Sequence, residues 1–435
     1  MTTPARPGFF NRALLTRAAD ALAVAVAVSL PWSTSATSIL VVVWLAVLLP
    51  TLRLAELRRE LTTAAGGLPV LLLLFGIAGM LWADVALIER WRGLDSFLKL
   101  LAIPLLFIQF RRSERADWVF GGYVIACVAL LLASYVLVLW PELSFHFSSD
   151  FGVPVKNAPT QSGEFVTCIF GLLFLAVESF TRRQWLWLFG FLIVILAMLM
   201  DIFFVATGRT ALVLILVLLI LFAVKKLSRD GILILIASTI AIGAMAWSSS
   251  PYLRGRIVQI WTDFQSYEAS DARNSSGERV EFAKKSIAFI REAPIIGHGT
   301  GSMPALFTKS AIGQTGAAAA AATTNPHNQT FAVAIQLGLI GAAVLWAMWI
   351  AHLLLFRGPG LVEWIGLVIV VQNIVGSLFN SHLFDFTQGW VYVLGVGVAG
   401  AGLAGALISL AVAHRAVELL HVETARRELV GEVHQ

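Results

Sequence analysis

Residues 181–226 read "TRRQWLWLFGFLIVILAMLMDIFFVATGRTALVLILVLLILFAVKK". Two apolar runs meet at Gly208 and Arg209, and basic pairs, Arg182-Arg183 and Lys225-Lys226, close the far ends. Each run has about the 20 residues that a helix needs to cross the hydrocarbon core of a bilayer. A single spanning segment must satisfy its own backbone hydrogen bonds, which a helix does. The stretch therefore predicts a membrane hairpin, with spans at 184–206 and 209–226 and a tight turn that Gly208 permits. Basic residues favour the cytoplasmic side, so Arg209 falls at the outer face.

The same pattern extends along the chain. Hydrophobic residues make up 58% of the sequence and charged ones 13%, with a mean hydropathy of +0.83. Soluble domains carry roughly twice that charge. We expect an all-α polytopic protein with spans near 18–34, 36–52, 67–85, 94–110, 117–140, 161–180, 184–206, 209–226, 230–248, 328–356, 361–379 and 388–413. The runs are too long and continuous for barrel strands, which alternate in polarity. "RLAELRRE", "RRSER", "TRR" and "KKLSR" fall on alternate connections, which puts both termini in the cytoplasm. The net charge of +5 reflects this asymmetry and does not signal nucleic acid. The N-terminus has the pattern of a signal peptide but is expected to stay as the first span. Cys127 and Cys168 fall inside spans and read as core residues, not a disulfide framework.

By this reading residues 1–248 form spans one to nine, 249–327 a long outer loop, 328–413 spans ten to twelve, and 414–435 a cytoplasmic tail. Long loops are rare unless functional. A shorter outer segment covers 141–161. Within the long loop, "SSGERVEFAKKSIAFIREAP" predicts a helix that Pro294 ends. Ser275 and Glu278 have capping-box spacing. Val280, Ala283, Ile287 and Ile290 would form its apolar face, widened by Phe282 and Phe289. "GHGTGSMP" reads as a flexible turn, and the alanine run 317–322 as mobile, helix or coil. No internal repeat stands out, and the two glycosylation-type sequons, at Asn274 and Asn328, are taken as chance.

Polar residues at the outer level are the candidates for chemistry. Arg209 is either an interfacial anchor, paired with Asp201, or an anion-binding group, since arginine is costly to place near a bilayer. Arg279, placed in the first turn of the loop helix, is either solvated or part of a phosphate site that the helix N-terminus supports. A guanidinium can grip phosphate through two hydrogen bonds. His327 in "TTNPHNQTF" sits where the loop becomes a span. A helix start would keep it neutral, able to accept a proton. It is expected to act as a general base or as a hydrogen-bond donor, or else only to pack. Arg209, Arg279 and His327 are expected to line one cavity. Arg90, Arg92 and Lys99 near span four are secondary candidates for the same anion, and His146, His298 and His382 rank below His327. No paired outer carboxylates, HExxH motif or Cys/His cluster suggests a metal, and no P-loop suggests nucleotide hydrolysis.

"GRT" after span seven, "SGERVEF…APIIGHGTGS" in the loop and "PHNQTF" before span ten occur together in one family. Over residues 195–345, and in hydropathy throughout, the chain resembles the bacterial O-antigen ligase and polymerase superfamily, the ligases most closely. The resemblance implies a glycosyltransferase of class C type in the bacterial inner membrane, with its active site on the periplasmic face. Such an enzyme would transfer O-antigen from undecaprenyl pyrophosphate to lipid A–core in lipopolysaccharide synthesis, with inversion and without metal or cofactor. It implies catalytic roles for His327, Arg209 and Arg279, and pyrophosphate binding by Arg209 and Arg279, with Arg90 and Arg92 as further contacts. Phe282 stands near the place where the family often has an aromatic after the loop arginine. The partners would be the lipid-linked donor, the lipid A–core acceptor and membrane lipids, with no nucleic acid. An O-antigen polymerase or a protein O-oligosaccharyltransferase would differ only in the acceptor. A lipid-linked glycan transporter would instead show repeat symmetry and ionisable groups near the midplane.

Overall fold

The computed structural model describes residues 12–143 and 150–401, and every regular element among them is helical. His146, the end of the twelfth expected span and the tail 414–435 lie outside the described residues. Seven described helices are long and apolar enough to cross a membrane, or eight if the bent pair Leu54–Leu61 and Ala64–Gly79, at 89°, forms one span. The protein is a multi-pass membrane protein.

The helices are α1 (Arg12–Ser29), α2 (Thr34–Leu48), α3 (Leu54–Leu61), α4 (Ala64–Gly79), α5 (Leu87–Leu98), α6 (Ala102–Phe110), α7 (Ala116–Leu139), α8 (Ala158–Thr181), α9 (Trp185–Phe204), α10 (Arg209–Lys226) and α11 (Arg229–Ser249). Then come α12 (Pro251–Ser270), α13 (Ser275–Glu292), α14 (Met303–Ala311), α15 (Gln329–Leu355), α16 (Leu361–Gly376) and α17 (386–401). The helix α1 falls short of a plain span because Arg12, Arg17 and Asp20 interrupt it; α10 carries Arg209, Lys225 and Lys226.

The bundle packs α1 on α2 and α7, α8 on α9, α10 and α16, and α4 on α15. Its two ends differ in chemistry. At one end basic residues meet the α3 carboxylates: Arg111 Nη2 lies 2.6 Å from Glu60 Oε2, and Arg112 pairs with Glu56. At the other end lie the start of α10, the loop helices α12 to α14 and the start of α15. Packing there is close: a Cβ on Gly208 would come within 2.4 Å of Ser162 Oγ at the start of α8. Among the described residues the α11 helix stands apart, packing chiefly on α12 and α10 and remaining almost unburied.

The outer loop differs from the sequence reading in three ways. First, it holds two further helices, α12 and α14. The signal for α12 was local: Ser250 caps it by accepting from Leu253 N at 3.1 Å, and Pro251 fills the first turn. Second, α13 is capped by Asn274, not Ser275. Asn274 Oδ1 accepts from Gly277 N at 2.8 Å, so Arg279 sits one residue past the first turn, and Glu278 bonds Arg273 at 2.8 Å. The buried face is Phe282, Ser286 and Phe289, while Ile287 is exposed. Phe307 meets Phe282 and Phe289 edge-on at 5.7 and 5.2 Å, contacts of about 0.5–1.5 kcal/mol each. Third, the alanine run forms a fastened turn. Lys285 Nζ donates to Ala319 O at 2.5 Å, and Ala318 N donates to Asp271 O at 3.0 Å.

The glycine turn has a structural partner. Helix α15 breaks at Gly338 (φ 67°, ψ −168°). His298 N and Gly299 N donate to Ile335 O and Gln336 O at 2.8 and 2.9 Å, and Leu339 N donates to Pro294 O at 2.8 Å. The turn thus satisfies backbone groups that the break releases, which in an apolar setting would otherwise cost several kcal/mol each. Thr300 Oγ1 then donates to Gly76 O at 2.6 Å, clamping the turn to the end of α4.

Candidate active site

Arg209, Arg279 and His327 come from three different elements: the first residue of α10, the start of the second turn of α13, and the loop before α15. The Arg209 guanidinium stands near enough to Arg279 to lower its proton affinity, an effect second to burial. Both remain cations, because arginine does not deprotonate in proteins. Arg279 in turn acts on His327. The imidazole is held below its usual 6.5 first by burial, then by the Arg279 charge, against a raising contact with Asn380. The dipole of α15 is not what keeps the histidine neutral, contrary to the expectation from the sequence. Asn328 is the cap of α15, accepting from Phe331 N at 3.1 Å, and His327 stands outside the helix in the left-handed region at φ 55°. A non-glycine residue there is uncommon, and such conformations cluster at functional sites.

The expected pairing of Arg209 with Asp201 does not occur. Asp201 is fully buried and accepts from Ser134 Oγ at 2.5 Å and Gln161 Nε2 at 3.0 Å. Arg209 Nη2 instead faces Asp263 Oδ2 of α12 at 3.7 Å, an ion pair longer than a hydrogen bond.

A chain of amides fixes the state of the histidine ring. The backbone N–H of His327 donates to Asn325 Oδ1 at 2.9 Å, so the other end of that amide must be its NH₂. Asn325 Nδ2 donates to Asn380 Oδ1 at 2.7 Å, and Asn380 Nδ2 donates to Asp385 Oδ2 at 2.6 Å. His327 Nδ1 lies 3.1 Å from the same Asn380 oxygen, so it must carry the proton. In the neutral ring Nε2 then holds the lone pair. Burial pushes the Asp385 carboxyl up to about 6, against the lowering effects of Lys99 and Asn380. Phe282 stacks on the imidazole at 6.0 Å between centroids, 20° from parallel.

The other candidates lie elsewhere or play supporting parts. Arg90 donates to Val85 O and Met80 O at 2.9 and 2.8 Å, holding the turn after α4. Arg92 pairs at 2.7 Å with Glu89 and is exposed. None of these bonds reaches the arginine–histidine group. Lys99 is buried and donates to Phe384 O and Asp385 O, both at 3.0 Å, so it fastens the loop that carries Asn380. His298 contacts Phe289 O at 2.9 Å, and His382 is buried with its ring pushed down to about 4. Sequence reasoning missed Asn325, Asn380, Asp385 and Asp263. Asn325 before a proline carried a turn signal, whereas the others become neighbours only through tertiary packing.

Among the described residues, no group of three or more His, Cys, Asp or Glu side chains converges to hold a metal. An apolar cavity of ≈ 580 Å³ opens among α1, α7, α8, α16 and α17, and its lining includes none of Arg209, Arg279 and His327.

Fold and site together define a multi-pass membrane protein with a cationic, imidazole-bearing centre at one end of its bundle. Residues 198–346, about a third of the chain, match the family model described as O-Antigen ligase. That segment holds Arg209, Arg279 and His327, so over it the chain is similar to the O-antigen ligase/polymerase superfamily, a family of glycosyltransferase-like enzymes. It is also 28% identical, over 175 residues, to an uncharacterized protein of Haemophilus influenzae; the match covers 39% of this chain and 44% of the relative.

Proposed function

We propose that the protein is an O-antigen ligase of the bacterial inner membrane, with about twelve spans, residues 249–327 as its periplasmic loop and its active site on the periplasmic face. It transfers O-antigen from undecaprenyl pyrophosphate to a sugar hydroxyl of lipid A–core. The observation that carries this reading is a histidine whose Nδ1 proton is engaged by Asn380 and which lies within electrostatic reach of Arg279, itself within reach of Arg209.

The donor leaves as a lipid pyrophosphate, which needs charge stabilisation more than a proton. Arg209 and Arg279 supply that charge, so no step needs a metal. The acceptor hydroxyl is a poor nucleophile, and the Nε2 lone pair of neutral His327 takes its proton as the new bond forms. A single displacement inverts the anomeric carbon. As a hydrogen-bond donor to phosphate, His327 would need a protonated ring, which burial and Arg279 oppose. The ring therefore acts as the base.

The test mixes purified protein with lipid-linked O-antigen and lipid A–core in the presence of EDTA. Joined lipopolysaccharide is expected only when both substrates are present. Lengthening of the lipid-linked glycan without acceptor would identify a polymerase instead, and absence of product until a divalent cation is restored would overturn the metal-free mechanism.

A further inference from the structure

The partner that Arg209 does have is unusual. Asp263 is 8% exposed, and its Oδ2 makes no hydrogen bond although it is buried. Arg209 Nε is likewise buried without a hydrogen-bond partner. The two groups face each other at 3.7 Å, close enough to attract and too far to bond. A structural arginine–carboxylate pair ordinarily closes into direct hydrogen bonds at about 2.7–2.9 Å. Arg209 is also the neighbouring charge that acts on Arg279, so a second guanidinium stands within electrostatic reach of the first.

We propose that Asp263 is a place-holding anion, a positioning residue that balances Arg209 before the donor binds and yields to the donor's pyrophosphate. This rests on the ligase reading of the site. A phosphoryl oxygen arriving between Arg209 and Arg279 offers more charge and bidentate geometry than one carboxylate, and Asp263 withdraws. When the lipid pyrophosphate leaves, the carboxylate competes for Arg209 and hastens product release. The carboxylate rides on an element suited to small movement. Its helix, α12, continues from the thinly packed α11 and exposes Ile257, Val258, Trp261 and Phe264. Asn274 Nδ2 donates to Asp263 O at 2.8 Å, so a shift of this turn also reaches the cap of α13, which carries Arg279.

The experiment measures binding of undecaprenyl pyrophosphate to the full chain in lipid nanodiscs, with undecaprenol as the uncharged control, together with KM and kcat for transfer. Asp263→Asn should bind undecaprenyl pyrophosphate at least about 5-fold tighter than wild type, the factor for losing roughly 1 kcal/mol of competing ion pair. KM for the donor should fall, and kcat should fall with it as release slows. Asp263→Glu, which keeps the charge, should stay near wild type. Weaker binding or unchanged binding by Asp263→Asn would overturn the place-holding role and leave the ligase reading intact. Failure of wild type to prefer undecaprenyl pyrophosphate over undecaprenol would overturn both. If Asp263→Asn does not fold, Asp263→Ser serves the same comparison, with the same outcomes deciding.

Discussion

At the scale of single residues, the two arginines and the histidine could be picked out of the sequence because each is expensive where it stands. An arginine at an apolar boundary and a histidine between a proline and a helix cap invite an explanation. Their partners could not be read in the same way: Asn380 and Asp385 are ordinary until the chain brings them beneath His327. We expect His327→Ala to lower turnover by about 10²–10⁴-fold, the usual effect of one positioned proton acceptor, with little change in donor binding. Arg209→Lys and Arg279→Lys should both be poor enzymes, since an ammonium cannot reproduce a two-point grip on phosphate; full activity in both would argue for generic charge. Because Arg279 helps to hold the His327 imidazole below 6.5, Arg279→Gln should raise its pKa, as followed by NMR titration of the ring. In wild type, activity should be level above about pH 6.5 and fall as the pH drops through the lowered pKa, because protonated imidazole cannot accept. The Asn380 contact raises that pKa, so Asn380→Ala should move the acid limb lower and reduce kcat as the ring loses its fixed tautomer.

At the scale of elements, helix positions followed from apolar run lengths and helix ends did not. The capping residue of α13 lay one position before the expected one, since Asn274 offers a side-chain oxygen as readily as serine does. The glycine turn "GHGTG" looked like slack chain, yet it closes the hydrogen bonds of a broken helix. Such a role shows only when both segments are seen together. A Cβ on Gly338 would lie 2.1 Å from Ile295 O, and one on Gly299 would lie 2.4 Å from Ala83 Cα, both at positive φ. Gly338→Ala and Gly299→Ala should each destabilise by more than the ~1–2 kcal/mol left-handed penalty alone. Gly243→Ala, which meets nothing within 4 Å, should be neutral or slightly stabilising. Thermal unfolding of the detergent-solubilised variants tests the contrast.

At the scale of the whole molecule, the alternation of basic and neutral connections sets the expected sidedness, and the site lies at the end away from the α3–Arg111 cluster. A cysteine placed at exposed Gln314 should react with a membrane-impermeant maleimide in intact spheroplasts, and one at Lys225 should react only after lysis; the reverse pattern would invert the topology. Cys127 and Cys168 are buried, so the background should be small. The sequence by itself determined the helical membrane class, the places of the apolar segments and the three residues whose charge or lone pair is costly at a membrane boundary. These are one-dimensional properties, set by the length of an apolar run and by the polarity of the residue that interrupts it. Only the tertiary structure decided that Arg209 faces Asp263 and not Asp201, that Asn380 holds the histidine proton, and that a glycine turn completes α15. Each is a contact between residues far apart in the chain, and its geometry depends on how buried polar groups find partners once the helices have packed.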